Sequence, residues 1–340
     1  MNAPNTELRT DAVTRLSACP GRILKLDVRT WVAMAMAQGV HLDADETAIF
    51  ARQLESIRAT AYDVQYPELI WDKLVPMGGQ DVDPGAEFFT WSLMDTAGRA
   101  KLVTNYGDDF PLAEVQAGQF TTPLASYGIA YQYSIQDLRR GAMANLPIDQ
   151  KRAIGARNLM ARELDSTIAL GDAAAGLTGM INNALVTILS PITGNWIAGG
   201  ATPLQILNDL LKIERDIITV SKGIERPDTM ALPVSLYSYI ASTPMSSLVP
   251  DITILDFFLK RSMGIRDVQS SFRLETAGAS GATRIVAFKK DVTKVEGVTP
   301  VLFEQFAPQV KSMAFRVNCH MRTGGVVIRF PGSVRYMDGC

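Results

Sequence analysis

Cys319 and His320, side by side near the end of the chain, are the first place to look for chemistry, because a thiol beside an imidazole can be a nucleophile beside its base. The supply of such groups is small: 340 residues hold three cysteines and two histidines, the other histidine being His41 in an expected inter-helix turn. Around the pair, the stretch RVNCHMRTGGVVIRFPGSV, residues 316–334, places apolar side chains at Val317, Cys319 and Met321. That period of two belongs to a strand, whose successive side chains point to opposite faces, so Cys319 and His320 cannot serve each other. Gly324 and Gly325 then predict a turn, with residues 326–330 pairing back as the second strand of a hairpin.

Other chemistries fare no better. Asp108 and Asp109 could act as paired carboxylates of a hydrolase, but they stand in a turn-like GDDF with neither a histidine nor a metal-ligand cluster beside them, and read as a solvated loop tip. The glycine-rich GDAAAGLTGMINN, residues 171–183, lacks the Lys-Ser/Thr of a phosphate-binding loop and reads as a helix-terminating bend. Cys19, Cys319 and Cys340 form no C-x-x-C spacing. No catalytic, cofactor-binding or metal-ligating residue is therefore expected, and no cofactor.

Composition narrows the function classes further. The chain is 47% hydrophobic and 20% charged, as folded proteins are, and its 33 basic against 35 acidic residues give a net charge of -2. That balance excludes a protein built to grip duplex DNA tightly. The N-terminal residues 1–22 lack the apolar core of a signal peptide, and no window approaches the roughly 18 apolar residues of a membrane span. The expectation is a chain that works where it is made, without a membrane partner.

The elements that would position these residues can be followed along the chain. Residues 1–26 are polar and aperiodic, an extended arm; two helical stretches follow to Ala61, the second capped by Asp43 with Glu46. Phe89, Trp91 and Leu93 alternate as a strand, and so do Tyr127, Ile129, Tyr131 and Tyr133. The long turn-rich interval between them predicts a two-stranded projection leaving the globular body. Ser134 with Asp137 opens a helix, which pauses at NLP and restarts after Pro147 to run to Leu170, ending before Gly171 as the longest helix expected. Thr202, Pro203 and Gln205 open another that Gly223 closes. Strands follow at 230–232, 268–275 and 284–288, with helices at PVSLYSYI and ILDFFLKRS between the first two. Few strict βαβ units occur, so the class is α+β.

Charge is unevenly spread over this plan. The projection, residues 81–119, carries seven acids, including Asp108, Asp109 and Glu114, against Arg99 and Lys101. The long helical region 134–171 carries six bases, including Arg152, Arg157 and Arg162, against four acids. Opposite signs suit an arm of one copy lying on the helix of the next, and these eight named residues are the candidate inter-subunit contacts.

At this point the order of parts resembles the major capsid proteins of tailed bacteriophages, in particular a phage-associated subgroup of that family. The residues that carry the resemblance are DDFP, residues 108–111, GLTGMIN, residues 176–182, ATPLQIL at the helix entry that Thr202 opens, and MRTGGVVIRFP, residues 321–331. The resemblance spans residues 60–340. It implies an N-terminal arm and helices over 1–60, a strand with the extended E-loop over 61–133, and a peripheral domain with a spine helix over 134–200. An axial domain over 201–290 and a β-rich return over 291–340 complete the plan. It also implies a shell of hexamers and pentamers enclosing double-stranded DNA with weak, non-specific contact, assembled in the bacterial host cytoplasm and assisted by scaffolding, portal and decoration proteins. Some proteins of this fold cross-link a loop lysine to a neighbour's asparagine; Lys101 is the sole lysine between Lys73 and Lys151, no partner asparagine or acid is identifiable, and a non-covalent shell is expected. The alternatives are an encapsulin-like compartment around an enzyme, with the same fold, and the hydrolase on Asp108 and Asp109.

Overall fold

The computed structural model describes residues 67–102, 110–143, 148–246 and 249–340. Residues 67–340 form one compact unit. The arm and helices expected before residue 61 lie outside the described residues, as do Asp108, Asp109 and the NLP pause.

A short helix, α1 (Trp71–Leu74), leads through β1 (Met77–Gly78) to a pair of ten-residue strands, β2 (Phe88–Ala97) and β3 (Glu114–Pro123), followed at once by β4 (Ala125–Ser134). Helices α2 (Ile135–Met143) and α3 (Ile148–Leu170) come next, then β5 (Gly171–Asp172), β6 (Leu177–Thr178) and β7 (Ile188–Leu189). A helical layer is built from α4 (Pro203–Val220), α5 (Val234–Ser242) and α6 (Ile254–Arg261), interleaved with β8 (Thr229–Pro233), β9 (Pro244–Ser246) and β10 (Val249–Thr253). The rest is β-rich: β11 (Asp267–Ser271), β12 (Arg284–Phe288), β13 (Val295–Val298), β14 (Val301–Gln305), β15 (Gln309–Lys311), β16 (Ala314–Thr323), β17 (Gly325–Ile328) and β18 (Val334–Asp338).

The local start signals act as their chemistry requires. The Asp137 amide donates to Ser134 Oγ at 3.0 Å, closing the entry to α2. At α4, Gln205 Oε1 accepts from the Thr202 amide at 2.8 Å, and Pro203 occupies the first turn. Helix α3 ends at Leu170, where Gly171 takes φ +75°. The glycine-rich stretch after it is a tight β5–β6 hairpin rather than a simple bend; a Cβ on Gly171 would stand 2.4 Å from the Leu177 carbonyl oxygen.

One sheet organises the unit. Its order is β11-β8-β12-β18-β7, and its central strands are buried throughout. Alternation sorts their side chains between two cores. Ala231, Val286, Phe288, Val334 and Tyr336 face one, with α3, α1 and Met321; Met230, Leu232, Ile285, Ala287 and Met337 face the other, with Trp196 and helices α4, α5 and α6. At the first core, β4 and β16 pair antiparallel over ten residues, Cys319 opposite Ile129 and His320 opposite Gly128. Helix α3 packs on this ribbon through Met160, Leu164 and Ile168, beside Tyr127 and Ile129.

Three strand expectations need correction. The projection is not built from the strands at 89–93 and 127–133: β2 pairs with β3, while β4 stays in the body on β16. Strand β3, EVQAGQFTTP, escapes a pattern search because most of it is exposed on both faces and has no apolar alternation. The turn at Gly324 and Gly325 makes no hairpin, since β17 leaves β16 and pairs with β13. Gly325 has φ +69°, and a Cβ there would meet the Thr178 carbonyl oxygen at 2.6 Å, so the chain turns against the β5–β6 hairpin into another sheet. Finally, the strand expected over 268–275 stops at Ser271, where a single 3-10 turn begins.

Candidate functional site

The suspected Cys–His pair is separated by its strand. Cys319 is buried, and burial pushes its thiol pKa up. His320 lies on the other face of β16, half-buried, with Glu304 Oε2 3.8 Å from its Nδ1 and the Phe306 ring beside it. Among the described residues no group of three His, Cys, Asp or Glu side chains could hold a metal ion.

What the structure does present is a projecting ribbon and a helix. The β2–β3 hairpin is paired over its full length, Phe88 opposite Pro123 and Ala97 opposite Glu114. Its root is fixed by aromatic rings: Phe89 stacks on Trp91 at 5.9 Å between centroids and Trp91 on Phe120 at 5.8 Å. Phe89 and Trp91 pack on a small core of Leu124, Val298 and Val327. Beyond this root Met94, Leu102, Leu112 and Val115 are exposed, Leu102 by 88%. Arg99 and Lys101 lie beyond β2 and Glu114 opens β3, all exposed; the described acids Asp81, Asp83, Glu87 and Asp95 are exposed as well. A ribbon with so much apolar surface in water is shaped to be covered by something else.

On α3 the three candidate arginines differ. Arg152 is engaged within its own subunit, donating to Asp137 Oδ2 at 3.2 Å and to the Gln132 carbonyl. Asp137 is held below the ordinary carboxylate range by the Ser134 amide, helped by Arg152. Arg157 is exposed, close to exposed Ile154 and Leu159, and Arg162 is half-buried. The structure therefore does not bring the three together as one free basic face.

Asp165, one of the four acids of the 134–171 region, does not stand on the surface of the helix. It is buried, its Oδ1 accepting from the amides of Ile70 at 3.1 Å and Trp71 at 2.9 Å, and its Oδ2 from Arg273 Nε at 3.1 Å. Trp71 Nε1 completes the node by donating to Ser271 Oγ at 3.1 Å. Helix α3, the strap of residues 70–71 that enters α1, and the turn that follows the sheet's edge strand β11 are thus joined at one carboxylate. Beside it, burial and then the Asp165 charge raise the Asp72 carboxyl above its usual range. The signal was present in the sequence: Asp165 sits between Leu164 and Ile168, inside the apolar stripe that a solvated acid would avoid.

A projecting ribbon, a long helix on a β-layer and a sheet between two cores can now be compared with known proteins. The family described as "Major capsid protein" matches residues 98–340. The chain belongs to that family. Solved structures share the fold. The capsid of Myoviridae phage XM1 superposes with a TM-score of 0.74 at 13% identity, covering 85% of this chain and 98% of that one. A Gordonia phage Cozz chain gives 0.59 at 12% identity, covering 87% and 95%, and the capsid of a native GTA particle gives 0.60 at 12%, covering 88% and 99%. No curated protein matches the sequence.

The protein is a major capsid protein, a structural component of a virion that self-assembles into an oligomeric shell. That membership does not favour the encapsulin-like reading. Membership of the family indicates a structural role.

Proposed function

We propose that this capsid protein forms hexamers and pentamers of an icosahedral head around double-stranded DNA, with the β2–β3 ribbon of one copy lying across α3 of the next. The observation that carries the reading is the ribbon itself, fully paired yet exposed along β3. Ring and shell contacts are heterologous, and a long arm adds buried area across a neighbour while leaving the inter-subunit angle adjustable between five-fold and six-fold rings. In this reading residues 1–60 are the N-terminal arm, 61–133 hold the E-loop, 134–200 and 201–290 are the peripheral and axial domains, and 291–340 return through both. Assembly takes place in the host cytoplasm with scaffolding, portal and decoration proteins. The net charge of -2 fits weak contact with packaged DNA.

The contact pairs the acids of the ribbon, Asp108, Asp109 and Glu114, with Arg157 and Arg162; Arg99 and Lys101 flank it. Because Arg152 is committed to Asp137, reversing its charge disturbs its own subunit, and Arg157 is the cleaner probe. In Arg157→Glu, the yield of particles counted by negative-stain electron microscopy should fall several-fold, and Glu114→Lys in the same chain should restore part of it. Wild-type yield from Arg157→Glu removes the electrostatic part of the proposal. Lys101 forms no cross-link in this reading, so particles boiled in detergent should run as single subunits.

A further inference from the structure

From Ala173 to Asn208 the chain contains no Asp, Glu, Lys, Arg or His, although 20% of its residues are charged. This neutral run is not buried as a whole. Leu185, Ile188, Ile192, Ile197 and Leu204 are each at least half exposed, Leu185 by 69% and Ile192 by 65%. Nor is it a loose loop. The buried carboxylate of Asp209 on α4 accepts from the Ile192 amide at 2.7 Å, Thr193 Oγ1 at 2.8 Å and Trp196 Nε1 at 3.1 Å, and the Trp196 ring is sunk in the second core. Asn195 Oδ1 accepts from the amides of Ile197 and Ala198, and Lys212 Nζ ties down the Ser190 carbonyl at 2.7 Å. Ile188 belongs to β7, the open edge of the five-stranded sheet.

The structure thus holds a set of aliphatic side chains in place and turns them to solvent. Surface of this kind on a pre-organised backbone loses little freedom when it binds, and it is the composition of an interface centre, from which charge is depleted. We propose that this Asp209-pinned neutral face is buried against a second copy of the chain in the assembled shell. The proposal rests on the shell reading, which makes identical copies the most abundant neighbours. Between identical copies a charged face risks meeting its own sign, whereas a neutral one meets any facet of its neighbour without like-charge repulsion. The ribbon and α3 take no part in it, so it is a contact additional to the arm-on-helix one.

Oxidative side-chain footprinting of the full chain, as unassembled subunits and as particles formed by the chain alone, tests it. Leu185, Ile192 and Ile197 should label several-fold more slowly in particles. Equal labelling in particles overturns the inference and leaves the shell reading intact; if the chain forms no particles under any condition, the shell reading falls and takes this contact with it. Protection of unassembled subunits by an added protein, without particles forming, would reassign the face away from a second copy. A variant gives an independent readout: Ile192→Asp with Ile197→Asp should lower particle yield at least tenfold while the subunit's melting temperature stays near wild type. Wild-type yield from that variant overturns the proposal.

Discussion

The β2–β3 ribbon and the central sheet are both made of well-paired strands, yet they stand in opposite solvents. Strands β8 and β12 are buried on both faces, whereas β3 is exposed along nearly its whole length. Central strands pair on both sides and each ribbon strand on one, its outer backbone groups left to water, so a satisfied backbone does not by itself distinguish them. Burial does: the sheet's side chains hold the subunit together, and beyond its aromatic root the ribbon's side chains contribute little to it. Stability and assembly are thereby assigned to different residues, and a change in one region should leave the function of the other largely unaffected.

Four experiments press on that division. The largest effect on the subunit is expected from Asp165→Ala, which strands Arg273 without its partner and leaves the Ile70 and Trp71 amides unsatisfied; unfolding free energy should drop by about 3–5 kcal/mol in a denaturant titration. A near-wild-type midpoint would show that the node is not what joins helix, strap and sheet. Next, Phe288→Ala in the sheet should lose roughly 3–5 kcal/mol, while Val115→Ala on the ribbon stays within about 0.5 kcal/mol in the subunit yet reduces assembly. Equal stability losses from the two truncations would erase the comparison.

The third experiment uses pH. Tyr127 Oη donates to Asp172 Oδ2 at 2.9 Å, and burial followed by that bond raises its pKa from 10.0 to about 12. Because the folded value lies above the unfolded one, its contribution is fully present below pH 10 and is lost as pH climbs towards 12. Tyr127→Phe should flatten that part of the stability-versus-pH curve, and an unchanged alkaline limb would refute the assignment. The last experiment is Cys319→Ser, where a hydroxyl replaces a buried thiol on β16 at a cost of about 1–2 kcal/mol to the subunit, with normal particle yield by electron microscopy.

Legibility of the fold followed the range of the interactions involved. The entry to α2 at Ser134 and Asp137, the stop of α3 at Gly171 and the start of α4 at Thr202 rest on residues within a turn of one another, and all could be read in advance. The partner of β4 could not, because β16 lies at the other end of the unit, and a period of two marks a segment as a strand without saying which strand it pairs with. Strand β3 was missed for the opposite reason: facing solvent on both sides, it carries no periodicity. The candidate contacts show the same split. The charge contrast between ribbon and helix is written in composition, whereas the capture of Arg152 by Asp137 and the burial of Asp165 depend on neighbours that only folding supplies.

By itself the sequence determined where α2 and α4 begin and α3 ends, that Cys319 and His320 face apart, and that one long stretch after α3 carries no charge. Those properties live in local geometry and in residue type, which do not wait for the chain to fold. Tertiary structure alone decided that Gly325 sends the chain into a second sheet, that one five-stranded sheet divides two cores, and that the neutral stretch stands on the surface, pinned by Asp209. Each of those depends on contacts between residues distant in sequence or on which neighbours exclude water, and neither can be written in a single residue's type.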